Sequence, residues 1–147
     1  MNNFYNQSLI NEFANKYKFN ISHFDKLLSL IKRSKLEEAL GESLDLYYRM
    51  NKDAMRKSFS EIIKTLILNR YVEKFFCKGN SFKNQDKILR MYNNAVSCFF
   101  ENSAECVRLL NCVIQETKKN VEFTRKIKKL IGLQSKIEEP QKLQLTS

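Results

Sequence analysis

Apolar residues recur at helical spacing along most of the chain, and the pattern is clearest between Asp53 and Phe76. Charged side chains fall between the apolar ones there, as in an amphipathic helix with a wide apolar face. The apolar positions are Met55, Phe59, Ile62, Ile63, Leu66, Tyr71, Phe75 and Phe76. Because such a face must be covered on more than one side, we expect this stretch to be the central helix of a small all-α domain.

The same periodicity predicts five further helices. With the central helix, the predicted set is Ser8–Lys18, Ser22–Arg33, Ser34–Tyr48, Asp53–Phe76, Gln85–Glu101 and Ala104–Ile131. Ser22, Ser34 and Ser103 are placed as N-caps. Gly79 and Gly132 are placed to end the fourth and sixth helices. Gly41 lies inside the third helix, where it costs about 1 kcal/mol relative to alanine unless it admits a neighbouring helix.

Composition supports an all-helical fold. Three glycines and one proline among 147 residues favour long helices joined by short polar connections. The length suffices for one domain with a real core. We predict an all-α irregular bundle of five or six helices over residues 1–132. Residues 133–147 mix Gln, Lys, Glu and Pro140 without periodicity, and we interpret them as a disordered, flexible polar tail.

The strongest charge feature lies between Lys118 and Lys129. Overall, 26 Lys and Arg face 16 Asp and Glu, a net charge of +10, which attracts acidic proteins, nucleic acid or acidic membrane surfaces. Helical spacing puts five cations on one side of the sixth helix, and these are the predicted partner-binding residues: Lys118, Lys119, Arg125, Lys126 and Lys129. The alternatives are a solvated face near a helix C-terminus, a phosphate-tracking face and a membrane-surface face.

No residue pattern predicts catalysis, a cofactor or a metal site. His23 is the single histidine, so a nucleophile–histidine pair would have to use it. The four cysteines, Cys77, Cys98, Cys106 and Cys112, form no CxxC pair and suit core packing, while a metal site and disulfides stay open. No glycine-rich phosphate loop occurs. We therefore expect a protein that is not an enzyme.

The sequence favours an intracellular protein, nuclear or cytoplasmic. Its first residues, MNNFYNQSLINEF, show no basic segment followed by an apolar one, as a signal peptide would. No apolar run reaches the length of a transmembrane helix, about 20 residues. The chain fits a segment of a larger intracellular protein, and no motif identifies a family.

The leading hypothesis is a non-catalytic helical protein-protein interaction domain, a scaffold or adaptor. Its partner would be another protein with an acidic or amphipathic helical segment, held in a groove or on an apolar patch with basic rims. One alternative is a nucleic-acid-binding helical module, favoured by the net charge. A second alternative is a secreted cytokine-like helical bundle, which would use the cysteines in two disulfides and the sequons at Asn6 and Asn20.

Overall fold

The structure is a computed structural model, which describes the backbone of residues 2–76 and 82–146 and the side chains of residues 7–76 and 82–134. Within these ranges the chain forms seven helices and no strand, so the all-α prediction is confirmed. The predicted count of five or six is too low, and the bundle arrangement stays a prediction. The chain divides into two compact units, Met1–Tyr71 and Val72–Ser147. The single domain over residues 1–132 also stays a prediction.

The first unit contains four helices. They are α1 (Asn2–Tyr17), α2 (Asp25–Lys32), α3 (Leu36–Arg49) and α4, which begins with Asp53–Ile63, continues as a π-helix over Lys64–Leu68 and ends with Asn69–Tyr71. Helix α2 packs against α3, and α4 packs against α1 and α3. The core includes the rings of Phe13, Phe24 and Phe59, whose centroids lie 5.6 to 6.1 Å apart, a separation at which aromatic pairs attract.

Helix α4 is shorter than predicted. The predicted helix continued to Phe76, but α4 ends at Tyr71, and Glu73–Phe76 forms a separate 3-10 helix. The predicted stop at Gly79 lies outside the described residues. In the π segment the Asn69 amide donates to the carbonyl of Lys64, five residues earlier. This wider turn changes the phase of the helix, so that three consecutive residues, Leu66, Ile67 and Leu68, are all buried.

Helices α1 and α2 end in the same left-handed turn. Lys18 (φ 55°) and Ser34 (φ 57°) follow the last turns of these helices. In each case the next residue donates its backbone amide to the carbonyl five positions earlier, the bond of a Schellman motif. The two bonds run from Phe19 to Ala14 and from Lys35 to Leu30, each at 2.9 Å.

Two predicted N-caps in the first unit, Ser22 and Ser34, are wrong. Ser34 ends α2 instead of beginning α3, whose N-terminus at Lys35 has no side-chain cap. Before α2, Asn20 takes the role predicted for Ser22: its Oδ1 accepts the Ser22 amide at 3.0 Å and opens a 3-10 turn, Ile21–Phe24. In both cases the backbone forms a turn before the helix begins, and a residue next to the predicted cap determines that turn. A sequence pattern that considers one capping residue at a time does not indicate such a turn.

The second unit contains α5 (Gln85–Ser97), α6 (Ser103–Thr117) and α7 (Val121–Thr146). Helix α5 packs against α6, and α6 packs against α7. Helix α5 ends four residues before the predicted Glu101, and Asn102 replaces the predicted Ser103 as the N-cap of α6, since its Oδ1 accepts the Glu105 amide at 3.2 Å. Phe123 is completely buried and contacts three further rings. They are Phe75, Phe76 and Phe82, with centroids 4.9 to 5.8 Å from that of Phe123.

The long sixth helix predicted over Ala104–Ile131 is two helices. The break lies at residues 118–120, and hydrogen bonds on both sides of it stabilise the turn. Asn120 Oδ1 accepts the Phe123 amide at 3.0 Å and caps α7. The Thr117 carbonyl accepts the Asn120 amide and the Thr124 hydroxyl, each at 2.9 Å. An asparagine N-cap satisfies amides that a helix start leaves free.

Gly132 does not end α7, which continues to Thr146. The glycine has ordinary helical backbone and nothing within 4 Å of the position of a Cβ. Beyond it, Gln134 is buried and donates its side-chain amide to the carbonyl of Phe99. Side chains after Gln134 lie outside the described residues, and the flexibility of residues 133–147 stays a prediction. In the described part of the chain, no helix combines the length and apolar character needed to cross a bilayer.

Candidate basic interaction surface

The five predicted partner-binding cations occupy two different structural positions. Lys118 and Lys119 are exposed in the turn between α6 and α7, while Arg125, Lys126 and Lys129 lie on α7. The continuous helical face predicted for all five is therefore interrupted at Asn120. The structure nevertheless keeps them in one region of the second unit, because the capped turn leads directly into α7.

One face of α7 presents exposed residues at helical spacing. Val121, Arg125, Lys128 and Gly132 follow each other at intervals of four, three and four residues and are all exposed. Residues at this spacing share one side of a helix. Val121 is 65% exposed and is one of two exposed large hydrophobic residues in the described part of the chain. The opposite side is buried and consists of Phe123, Ile127, Leu130 and Gln134.

We give the name basic surface to Val121 and the exposed cations of this region, which are Lys118, Lys119, Arg125, Lys128 and Lys129. Glu122 is also exposed here and is paired with Lys74. Lys128 was missed from the sequence, because the helical phase was counted from Lys118 without the break at Asn120. Lys126, by contrast, is only half-exposed and flanks this surface.

Glu122 is the single carboxylate of residues 121–134, and a lysine of the same unit engages it. Lys74 Nζ lies 2.5 Å from Glu122 Oε1. This hydrogen bond, with the charge of Lys74 and smaller contributions from Lys126 and Arg125, lowers the pKa of Glu122. The carboxylate is therefore ionised at neutral pH, and Lys74 is its ion-pair partner. Arg125 and Lys128 form no ion pair with any side chain that the structure describes.

A cleft of about 700 Å³ adjoins the basic surface. Its lining comprises Phe82, Lys83, Gln115, Glu116, Thr117, Lys118, Lys119, Asn120 and Val121. Three of these residues are lysines, and within residues 7–76 and 82–134 no acidic group pairs with them. The carboxylate of Glu116 is bound by Lys87 Nζ at 2.8 Å. The cleft therefore carries a positive charge that an anionic group would neutralise.

Lys83 is a second cation that the sequence analysis missed. It lies two residues before α5, in a stretch where no periodicity marks a face. Only the fold brings it to the cleft beside Lys118 and Lys119. A sequence signal was present in the general excess of lysine, but that excess does not distinguish this lysine from the others.

The other candidate residues show no site among the described side chains. His23 lies in the 3-10 turn before α2, with its ring 5.2 Å from that of Phe19. Cys98, Cys106 and Cys112 are free thiols, and Cys77 lies outside the described residues. Among the side chains that the structure describes, no three of His, Cys, Asp or Glu are placed to bind one metal ion.

Comparison of the chain with protein-family models, with curated proteins and with solved structures finds no match. A function for this chain must therefore rest on the geometry of the second unit and on its charges.

Proposed function

We propose that this chain is a non-catalytic helical interaction module, a scaffold or adaptor of the cell interior, whose basic surface binds an acidic segment of another protein. The observation that carries the proposal is the combination of an exposed Val121 with cations on both sides of it that form no ion pair with any described side chain. Lys118 and Lys119 precede it in the turn, and Arg125 and Lys128 follow it on α7.

Local structure supports this surface as a preorganised one. The Asn120 cap and the hydrogen bond between the Thr124 hydroxyl and the Thr117 carbonyl define the turn. Phe123, three positions from the turn, is completely buried. A surface that is ordered before binding loses less conformational freedom when the partner arrives.

Charge complementarity identifies the chemistry of the partner. Carboxylates would form charge-assisted hydrogen bonds with Arg125, Lys128 and the lysines of the turn. An apolar residue of the same segment would cover Val121. An amphipathic helix with acidic residues beside its apolar stripe meets both requirements, and it is a common partner of helical grooves.

The composition of the surface favours protein over single-stranded nucleic acid. Many proteins that bind single strands stack bases on exposed aromatic rings. In the described part of the chain, the exposed large hydrophobic residues are Ile21 and Val121, and neither is aromatic. An aliphatic residue among cations suits a protein segment better than a nucleobase.

The test compares two double charge reversals. Arg125→Glu with Lys128→Glu changes the basic surface, while Lys32→Glu with Lys57→Glu makes the same change in net charge at exposed positions of the first unit. The probe is a fluorescent, helix-forming peptide with glutamates flanking a leucine stripe, and its affinity is measured by anisotropy. We expect the first pair to weaken binding about tenfold or more, and the control pair to change it less than about twofold.

Two results would oppose the proposal. One is equal weakening by both pairs, which would reduce the interaction to net charge. The other is tighter binding of a single-stranded or duplex oligonucleotide than of the peptide, with an affinity that falls steeply as salt rises. That second result would favour the nucleic-acid alternative.

A further inference from the structure

The cleft in the second unit adjoins the place where the proposed function puts the partner segment. Val121 lies on the exposed face of α7 and also lines the cleft. Phe82 and Lys83, which precede α5, line the cleft as well, together with the turn between α6 and α7. A segment that covers Val121 can therefore extend from the face of α7 into the cleft.

Three lysines of the cleft come from two separate parts of the chain. Lys83 lies before α5, whereas Lys118 and Lys119 lie in the turn between α6 and α7. All three are exposed, and none of them forms an ion pair with a side chain that the structure describes. Like charges gathered at one cleft repel each other, and an anion bound between them relieves the repulsion.

Glu116 is the single carboxylate among the described residues that line the cleft, and Lys87 binds it. Lys87 Nζ lies 2.8 Å from Glu116 Oε1. Lys87 belongs to α5 and is not among the lining residues. The three lysines and Glu116 give the lining a net charge of +2, and its one negative charge already has a partner outside the lining.

We propose that the cleft binds the phosphate group of a phosphorylated serine or threonine in the acidic segment, so that phosphorylation of the partner strengthens the interaction. This inference rests on the proposed function for the position of the segment. A phosphorylated residue carries a charge of about −1.5 to −2 at pH 7 and three strong acceptor oxygens, whereas a carboxylate carries a single charge and two oxygens. The phosphate therefore matches the charge of the lining and its three separate ammonium groups more closely than a carboxylate does.

The size and the apolar part of the cleft fit a side chain of a bound segment. The volume of about 700 Å³ exceeds that of a phosphate group, and the neighbours of the phosphorylated residue would occupy the rest beside Val121. The ring of Phe82 is half-buried, with its centroid 5.6 Å from that of Phe76 and 5.1 Å from that of Phe123. Because these rings already cover part of Phe82, the cleft suits aliphatic groups better than a stacked nucleobase.

The test combines two changes in a set of fluorescent, helix-forming peptides, whose affinity for the full chain is measured by anisotropy. Each peptide has a leucine stripe flanked by either glutamates or glutamines, and one turn beyond the stripe it carries either serine or phosphoserine. Peptides with this residue at the N-terminal or the C-terminal end are compared, because the direction of the segment on α7 decides which end reaches the cleft. At one of the two ends, we expect phosphoserine to strengthen binding about tenfold.

Lys83 separates the cleft from the basic surface, because it lines the cleft and is not part of that surface. Lys83→Gln should remove most of the gain from phosphoserine and change the affinity of the unphosphorylated glutamate peptide less than about twofold. Arg125→Gln with Lys128→Gln should weaken both glutamate peptides and leave the ratio of their affinities unchanged. Lys57→Gln, at an exposed position of the first unit, makes the same change in charge as Lys83→Gln and should alter neither affinity.

The ion pair between Lys87 and Glu116 provides a second test. Lys87→Gln removes the partner of the Glu116 carboxylate, which then competes with phosphate for the lysines of the cleft, so the gain from phosphoserine should fall. Lys87→Gln combined with Glu116→Gln removes this competitor and should restore the gain. Both variants change side chains that are exposed, and folding is checked by circular dichroism.

The peptide set distinguishes failure of this inference from failure of the proposed function. Equal affinities with serine and phosphoserine at both ends would overturn the inference alone, as would a gain that Lys83→Gln does not reduce. Equal affinities of the glutamate and glutamine peptides would refute the proposed function, whereas a phosphoserine gain that depends on Lys83 would still support the cleft as a phosphate site. Displacement of the phosphopeptide by phosphoinositide vesicles or by an oligonucleotide at lower concentration than by unlabelled phosphopeptide would also overturn the inference.

Discussion

Replacing Ser34 by glycine should stabilise the protein. Ser34 has a φ of 57° at the end of α2, and a left-handed conformation costs about 1–2 kcal/mol for a residue with a Cβ. Glycine adopts this conformation freely but loses about 0.5–1 kcal/mol more conformational entropy on folding. The difference predicts that Ser34→Gly raises the free energy of unfolding by about 0.5–1 kcal/mol.

The Ser34 hydroxyl donates no hydrogen bond to any residue that the structure describes, so no such bond offsets this gain. Ser34 is exposed, and the bond that holds the turn uses its backbone amide, which donates to the Ile31 carbonyl at 3.0 Å. Glycine keeps this amide. The change therefore isolates the backbone conformation from packing.

Urea unfolding followed by circular dichroism measures the effect, with two matched controls. Ser34→Ala retains a Cβ and should show no gain. Ser29→Gly makes the same substitution inside α2, at an exposed position with helical backbone, and should destabilise by about 0.5 kcal/mol. Lys18→Gly repeats the test at the end of α1, where φ is 55°, and should match Ser34→Gly in sign. Destabilisation by both Ser34→Gly and Lys18→Gly would refute the reasoning.

Asn120→Ala should lower the free energy of unfolding of the second unit by about 1 kcal/mol through loss of the α7 cap, and Asn120→Asp should restore it. Tyr71→Phe should cost about 1–2 kcal/mol at pH 7, because the buried hydroxyl donates to Glu37 at 3.0 Å. Gly41→Ala and Gly132→Ala should each add about 1 kcal/mol, since nothing lies within 4 Å of a Cβ at either position. Urea unfolding measures all of these changes.

Tyr71 also predicts a pH dependence. Burial, followed by the hydrogen bond and charge of Glu37, raises the pKa of Tyr71. The contribution of the protonated Tyr71 hydroxyl to stability is therefore complete below about pH 10, the pKa of a tyrosine in the unfolded chain. It decreases at higher pH, because the unfolded chain releases a proton that the folded chain retains. Wild type should lose more stability than Tyr71→Phe between pH 10 and pH 11, and parallel curves would contradict this account.

The apolar periodicity was sufficient to predict which segments are helical but not how many helices they form or where all of them end. In α2 and α3, buried residues such as Leu27, Ile31, Leu40 and Leu44 recur at helical spacing, and that repetition distinguishes helix from strand. The break at residues 118–120 was missed because apolar residues continue on both sides of it without Gly or Pro. The turn is instead stabilised by the Asn120 side chain and by a bond between two threonines, Thr117 and Thr124.

The sequence indicated where the candidate site lies but not which residues belong to it. The concentration of cations between Lys118 and Lys129 indicated the region directly. Which cations share a surface depends on the phase of α7, and the phase begins anew at the Asn120 cap. Lys83 joins the cleft through the fold of the second unit alone, and one-dimensional spacing carries no information about such contacts.

The π segment of α4 has a consequence for how this chain tolerates changes in length. A π-helical turn holds one residue more than the α-helical turn it replaces, so the segment Lys64–Leu68 is equivalent to a single-residue insertion within a regular helix. Deleting one residue there would restore an α-helical turn, while the residues on either side of the segment, including Tyr71, would keep their orientation. In α4, therefore, the wider turn accommodates an extra residue without moving the Tyr71 hydroxyl away from Glu37, and a one-residue deletion should be tolerated better in this segment than elsewhere in the helix.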